Sequence, residues 1–90
     1  MARILLIDDE ELVLFTLRVA LEAAGHTVVE AGNGLQGIAS RERQYFDLIV
    51  TDILMPEMDG VQAIKKLKQL YPRQKIIAIA GGGRVRREGR

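Results

Sequence analysis

Four short runs rich in apolar residues divide the chain, Arg3–Ile7, Thr27–Ala31, Asp47–Thr51 and Lys75–Ala80, and a stretch with helical spacing separates each from the next. The first, Ile4-Leu5-Leu6-Ile7, is continuous in hydrophobicity, as expected of a strand covered on both faces. From Glu10 to Ala24, apolar residues recur at Val13, Leu14, Leu17, Ala20, Leu21 and Ala24, which predicts a helix. Glu10 and Glu11 suit its positive end, and Gly25 is placed to terminate it in the left-handed conformation. Asn33-Gly34 closes the second strand, and Leu35, Ile38 and Ala39 predict a short helix to about Arg43, weakened by Gly37. Val61, Ile64, Leu67, Lys68 and Leu70 predict a third helix, stopped at Tyr71-Pro72 because proline cannot continue it. Strands alternating with helices predict right-handed crossovers and a parallel α/β sheet with the order β-α-β-α-β-α-β.

Two of the strands run into acid. Asp8 and Asp9 follow the first and Asp52 follows the third, so if those strands are neighbours the three carboxylates meet at one rim of the sheet. Ligand sites of open α/β sheets form there, outside the carboxyl ends of the strands. Three clustered carboxylates invite a hard divalent cation, and Mg²⁺ is typically held by one or two carboxylates, waters and the oxygens of a phosphate-bearing substrate.

Composition narrows the class. Ninety residues, 48% hydrophobic and 28% charged, make one small globular domain with a single core and modest stability. No apolar run approaches the ~18 residues of a membrane span. The start is too short for a signal-peptide core and the chain has no cysteine, so a cytoplasmic location is expected. The segment from Arg84 to Arg90 holds four arginines and one glutamate, a net +3 against +1 for the whole chain, which leaves −2 for residues 1–83. Gly81-Gly82-Gly83 reads as a hinge, making residues 1–83 the domain and 84–90 a basic flexible tail. Those glycines are not a phosphate-binding loop, since no Lys-Ser or Lys-Thr follows. Nucleic-acid binding would rest on the tail arginines alone, without aromatic or fold support, and is not expected of this chain. His26 is expected to be solvated, and Phe15, Tyr45 and Phe46 to lie in the core or at its edge.

Ile7-Asp8-Asp9-Glu10 after the first strand, with Thr51-Asp52-Ile53-Leu54-Met55-Pro56-Glu57-Met58-Asp59-Gly60 after the third, resembles the receiver domain of bacterial two-component response regulators over roughly residues 2–83. The resemblance implies a flavodoxin-like sheet, here in the order 2-1-3-4, with the family's fifth strand and last helices missing. It implies that Asp52 accepts a phosphoryl group from the phosphohistidine of a sensor histidine kinase or a phosphotransfer protein. By the same matching, Asp9 and Asp52 ligate Mg²⁺, Asp8 acts through water or positions the ion, and the main-chain carbonyl of Leu54 is a further ligand. Phosphoryl transfer is catalysed mainly by positioning and by neutralising charge on the equatorial oxygens, and a metal does both. Pro56 and Asp59 or Gly60 shape the loop and the start of the third helix.

The match has two gaps. The family's threonine or serine at the end of strand four is Ala80 here, and no lysine follows Lys75 to take the place of the one at the end of a fifth strand. The alternative function is therefore a degenerate receiver that binds partners or dimerises without phosphorylation. A Mg²⁺-dependent phosphohydrolase is disfavoured, because Leu54 occupies the place of the second acid such enzymes commonly carry. With strand four at the edge, Ile76, Ile77 and Ile79 would be partly uncovered, which predicts a homodimer or other association there.

Overall fold

A computed structural model describes residues 1–55 and 60–80, and the backbone of 84–85. The loop roles expected of Pro56 and Asp59, the Gly81–Gly83 hinge and the end of the basic tail lie outside the described residues. The elements are β1 (Arg3–Ile7), α1 (Glu11–Ala23), β2 (Thr27–Ala31), α2 (Gly34–Arg43), β3 (Leu48–Asp52), α3 (Gly60–Leu70), β4 (Ile76–Ala80) and β5 (Arg84–Val85). β2, β1, β3 and β4 are parallel in that order, the flavodoxin-like arrangement expected.

The sheet divides the core in two. Leu5, Ile7, Ile38, Phe46, Ile49 and Leu67 are buried on the face covered by α2 and α3. Ile4, Leu6 and Leu14 form the other cluster, under α1. Helix α1 ends as expected, with Gly25 at φ 96°, the one positive φ among the described residues. Helix α3 turns only part of the apolar stripe inward, with Leu67 buried and Ile64 half-buried. Gly60, Ala63 and Leu67 are buried, whereas Val61 and Leu70 are exposed.

Three side chains depart from expectation. Phe15 is 55% exposed because the inward stripe of α1 runs through Leu14, Leu17 and Leu21, and Phe15 lies about 100° around the helix from Leu14. Tyr45 is 62% exposed beyond the end of α2, its ring 5.2 Å from the Arg41 guanidinium. His26 is half-buried, and its Nδ1 accepts a hydrogen bond from the Ala2 amide at 3.0 Å, which ties down the start of β1. Of these aromatics only Phe46 is core, with no exposed surface.

The chain after β4 also differs. Arg84–Val85 forms β5, antiparallel to β4, with Ile79 opposite Val85 and Ala80 opposite Arg84. Residues 84 and 85 therefore pair with the sheet where a flexible tail was expected. Their sequence carries no strand signal of its own, and the free edge of β4 supplies the template.

Candidate metal and phosphoacceptor site

The acidic rim follows from strand register. Ile7 of β1 stands opposite Thr51 of β3, so the residues that follow, Asp8 and Asp52, emerge side by side. Carboxylate oxygens of Asp8, Asp9 and Asp52 all lie within 4.8 Å of one another. Asp8 and Asp52 are 2% and 3% exposed, and Asp9 faces solvent. The three carboxylates singled out from the sequence are thus brought together.

Each buried carboxylate is held by backbone. The Asp8 amide donates to the Ala31 carbonyl at 3.1 Å, and Asp8 Oδ1 accepts from the Glu10 amide at 2.9 Å at the start of α1. Asp52 Oδ1 accepts from the Leu54 amide at 3.0 Å. On the far side of Asp52, the Ile53 amide donates to the Ile79 carbonyl at 2.9 Å, so the site's base is joined to β4. Asp8 Oδ2 is buried with no hydrogen-bond partner among the described residues. Such a group is costly to leave unpaired. Burial pushes the Asp8 carboxyl up to about 6, with a lowering contribution from the Glu10 amide and raising ones from Asp52, Asp9 and Glu10. An orphaned buried oxygen inside an all-oxygen donor set fits a hard divalent cation, which, directly or through a water it carries, would satisfy Oδ2 and offset the crowded negative charge.

Gly60 lies against the end of β3. Its amide donates to the Ile53 carbonyl at 3.2 Å, and a Cβ at this position would collide with the Asp52 carbonyl oxygen and with Ile53 Cα. Met55 is buried in the α2–α3 core, which anchors the loop's first half. The sequence pointed to Gly60 as the start of α3; its close approach to the backbone of Asp52 depends on tertiary packing and has no local signature. The cap of α2 was missed although its signal was present. Asn33 accepts from the Gln36 amide at 2.9 Å while Gln36 Oε1 accepts from the Gly32 amide at 2.9 Å, and Asn followed three residues later by Gln is the capping-box spacing.

The family model described as the response regulator receiver domain matches residues 4–87. The chain belongs to that family. This receiver domain is 38% identical over 81 residues to the response regulator receiver protein CpdR of Brucella abortus, covering 90% of this chain and 68% of CpdR. It is 37% identical over 67 residues to the alkaline phosphatase synthesis transcriptional regulatory protein PhoP of Bacillus subtilis, covering 74% of this chain but only 28% of PhoP. Among solved structures it is similar to the response regulator TrrA of Thermotoga maritima in complex with Mg(2+)-BeF, with a TM-score of 0.85, 29% identity, and coverage of 89% of this chain and 70% of that one. TrrA is also matched in its complex with the histidine kinase ThkA, again with a TM-score of 0.85, at 28% identity and with coverage of 90% and 70%. The fold described above is therefore that of a receiver domain, a signalling domain of two-component systems.

Proposed function

We propose that this receiver domain is a cytoplasmic phosphoacceptor, taking a phosphoryl group on Asp52 from the phosphohistidine of a histidine kinase or phosphotransfer protein with Mg²⁺ bound at the acidic rim. The observation that carries the reading is the meeting of Asp8, Asp9 and Asp52 within 4.8 Å around the unpartnered Asp8 Oδ2. Asp9 and Asp52 would hold the ion directly, Asp8 would bind through water or position it, and the Leu54 main-chain carbonyl would add a ligand. Mg²⁺, when bound, supplies charge neutralisation at the equatorial phosphoryl oxygens. Asp52 supplies the nucleophile, one of its oxygens forming a P–O bond as the P–N bond of phosphohistidine breaks and its electron pair returns to the imidazole. The Leu54 amide on Oδ1 fixes the carboxylate's rotation, which favours attack from Oδ2.

Complexes of the similar TrrA with a histidine kinase and with Mg(2+)-BeF support both the partner and the metal. Ala80 offers no hydroxyl to the phosphoryl group, so its readout would run through other contacts than a side-chain hydrogen bond at that position. The domain would also associate with a second copy through the edge of β4, of which β5 pairs with only Ile79 and Ala80.

Intact mass after incubation with Mg²⁺ and acetyl phosphate tests the assignment. A single phosphoryl adduct is expected on the parent and none on Asp52→Asn. No adduct on a folded protein that binds Mg²⁺ would overturn it in favour of a phosphorylation-independent binding module.

A further inference from the structure

At the end of the sheet opposite the acidic rim, the C-terminal ends of α2 and α3 line an open cavity of about 490 Å³, within the range of small-molecule sites. Arg41 and Gln74 form its polar part. The Arg41 guanidinium lies 4.0 Å from the Tyr71 ring centre and 5.2 Å from that of Tyr45, and its Nε donates to Gln74 Oε1 at 2.7 Å. Gln74 is itself buried, its Nε2 donating to the Phe46 carbonyl at 3.0 Å, so it holds Arg41 against the core. This is a rigid arrangement for a long side chain. Among the described residues no carboxylate pairs with Arg41, and no hydrogen bond engages either of its terminal nitrogens. A half-buried guanidinium with its forked edge unpaired presents two parallel donors, the geometry that matches a carboxylate or phosphate. Arg73 adds a second positive charge at the rim, while Tyr45, Tyr71 and Leu70 offer flat or apolar walls.

We infer that this cavity binds a small molecule in which a flat ring carries an anionic group, the anion seated on Arg41 and the ring against Tyr45. Both halves of the ligand are needed. The cation alone would take any anion, and the exposed tyrosine face adds stacking that a bare ion cannot use. Two sources share this chemistry, a nucleoside monophosphate and an aryl carboxylate.

The chain's two tyrosines both line the cavity, so their ring-proton NMR signals report on it directly. The experiment titrates the full chain with AMP, with benzoate and with inorganic phosphate, in EDTA so that no metal draws phosphate to the acidic rim. Saturable shifts of both tyrosines are expected with AMP, benzoate or both, at a Kd on the order of 1 mM or tighter. Inorganic phosphate should bind at least about tenfold more weakly, since it lacks the ring. AMP alone identifies the nucleotide as the source, and benzoate alone the carboxylate. Arg41→Gln should weaken binding at least about tenfold. Tyr45→Ala, at an exposed position, should weaken it at least about fivefold with Tyr71 as the remaining reporter and an unchanged urea midpoint as the control for folding. The inference is overturned if neither ring compound shifts the tyrosines, if inorganic phosphate binds as well as they do, or if Tyr45→Ala binds like the parent.

Discussion

Asp8 has one oxygen fixed by the Glu10 amide and the other buried without a partner among the described residues, and this sets how the domain responds to pH. In metal-free protein its carboxyl titrates at about 6 when folded, against 3.8 when unfolded. Between those values the folded state keeps a proton that the unfolded chain has released, so Asp8's contribution to stability falls as pH rises through that window and stays low above it. Substituting Asn removes the titration. The difference in Tm between Asp8→Asn and the parent, measured in EDTA, should therefore be small near pH 4 and grow in favour of the variant up to pH 7. Mg²⁺ should stabilise the parent at pH 7, by about 2.7 kcal/mol at a concentration one hundred times its Kd, and Asp8→Asn much less. A difference that is flat across the window would refute this account. Gly60 is the site's steric counterpart. Gly60→Ala must displace the Asp52 carbonyl or the Ile53 backbone, and a loss on the order of 3 kcal/mol is expected in urea unfolding, with weakened Mg²⁺ binding in the same variant. Gly37→Ala is the gentler comparison. Its Cβ would crowd only the Ile7 side chain, coming to 2.8 Å from Cγ1 and closer still to Cδ1, and the gain in helix propensity offsets part of the cost.

Single elements carry smaller, local quantities. Asn33 and Gln36 satisfy two backbone donors where α2 begins, so Asn33→Ala should cost about 1 kcal/mol, read as a lower urea midpoint with an unchanged slope. An equal midpoint would mean that water caps the helix as well as Asn33 does. The same scale explains what the sequence could convey. β1 and β2 fall on their predicted bounds because their apolar runs end abruptly, at Asp8 and at Gly32. β3 begins and ends one residue later than predicted because Asp52 still pairs in the ladder, opposite Ile79. In α3, Val61 and Leu70 are apolar yet exposed, while Gly60 and Ala63, which have little or no side chain, are buried beside Leu67, so hydrophobicity alone did not mark the inward face. The acidic rim was legible since adjacency of two strand ends was enough to gather Asp8, Asp9 and Asp52. The contact of Gly60 with Asp52, the buried Gln74 behind Arg41 and the pairing of Arg84–Val85 each join residues that no local pattern connects.

For the whole molecule, the unequal covering of the sheet is what remains to be satisfied. Among the described residues, helices α2 and α3 lie on one face and only α1 on the other, over β1 and β2. Val50 and Ile77 stand opposite each other on the face that α1 occupies, and Ile77 is 45% exposed. The Lys75 carbonyl accepts from Ile49 of β3 and the Ile79 carbonyl from Ile53 just past it, which by the alternation of a parallel ladder turns the backbone of Ile76 and Ala78 toward the free edge. β5 pairs with Ile79 and Ala80 only, so among the described residues nothing meets Ile76 or Ala78 there. An unpaired edge next to an exposed isoleucine favours strand-to-strand association, and light scattering with size-exclusion chromatography should find a dimer that grows with concentration. Two substitutions separate edge from face. Ala78→Pro removes an outward N–H without touching the bonds to β3, and should return the protein to a folded monomer if the strands pair edge to edge. Ile77→Lys should do so instead if the sheets meet through the apolar face, because a buried lysine without a partner is costly. A well-folded monomer of the parent at every concentration would defeat both, and would mean that the short β5 and water suffice to finish the sheet.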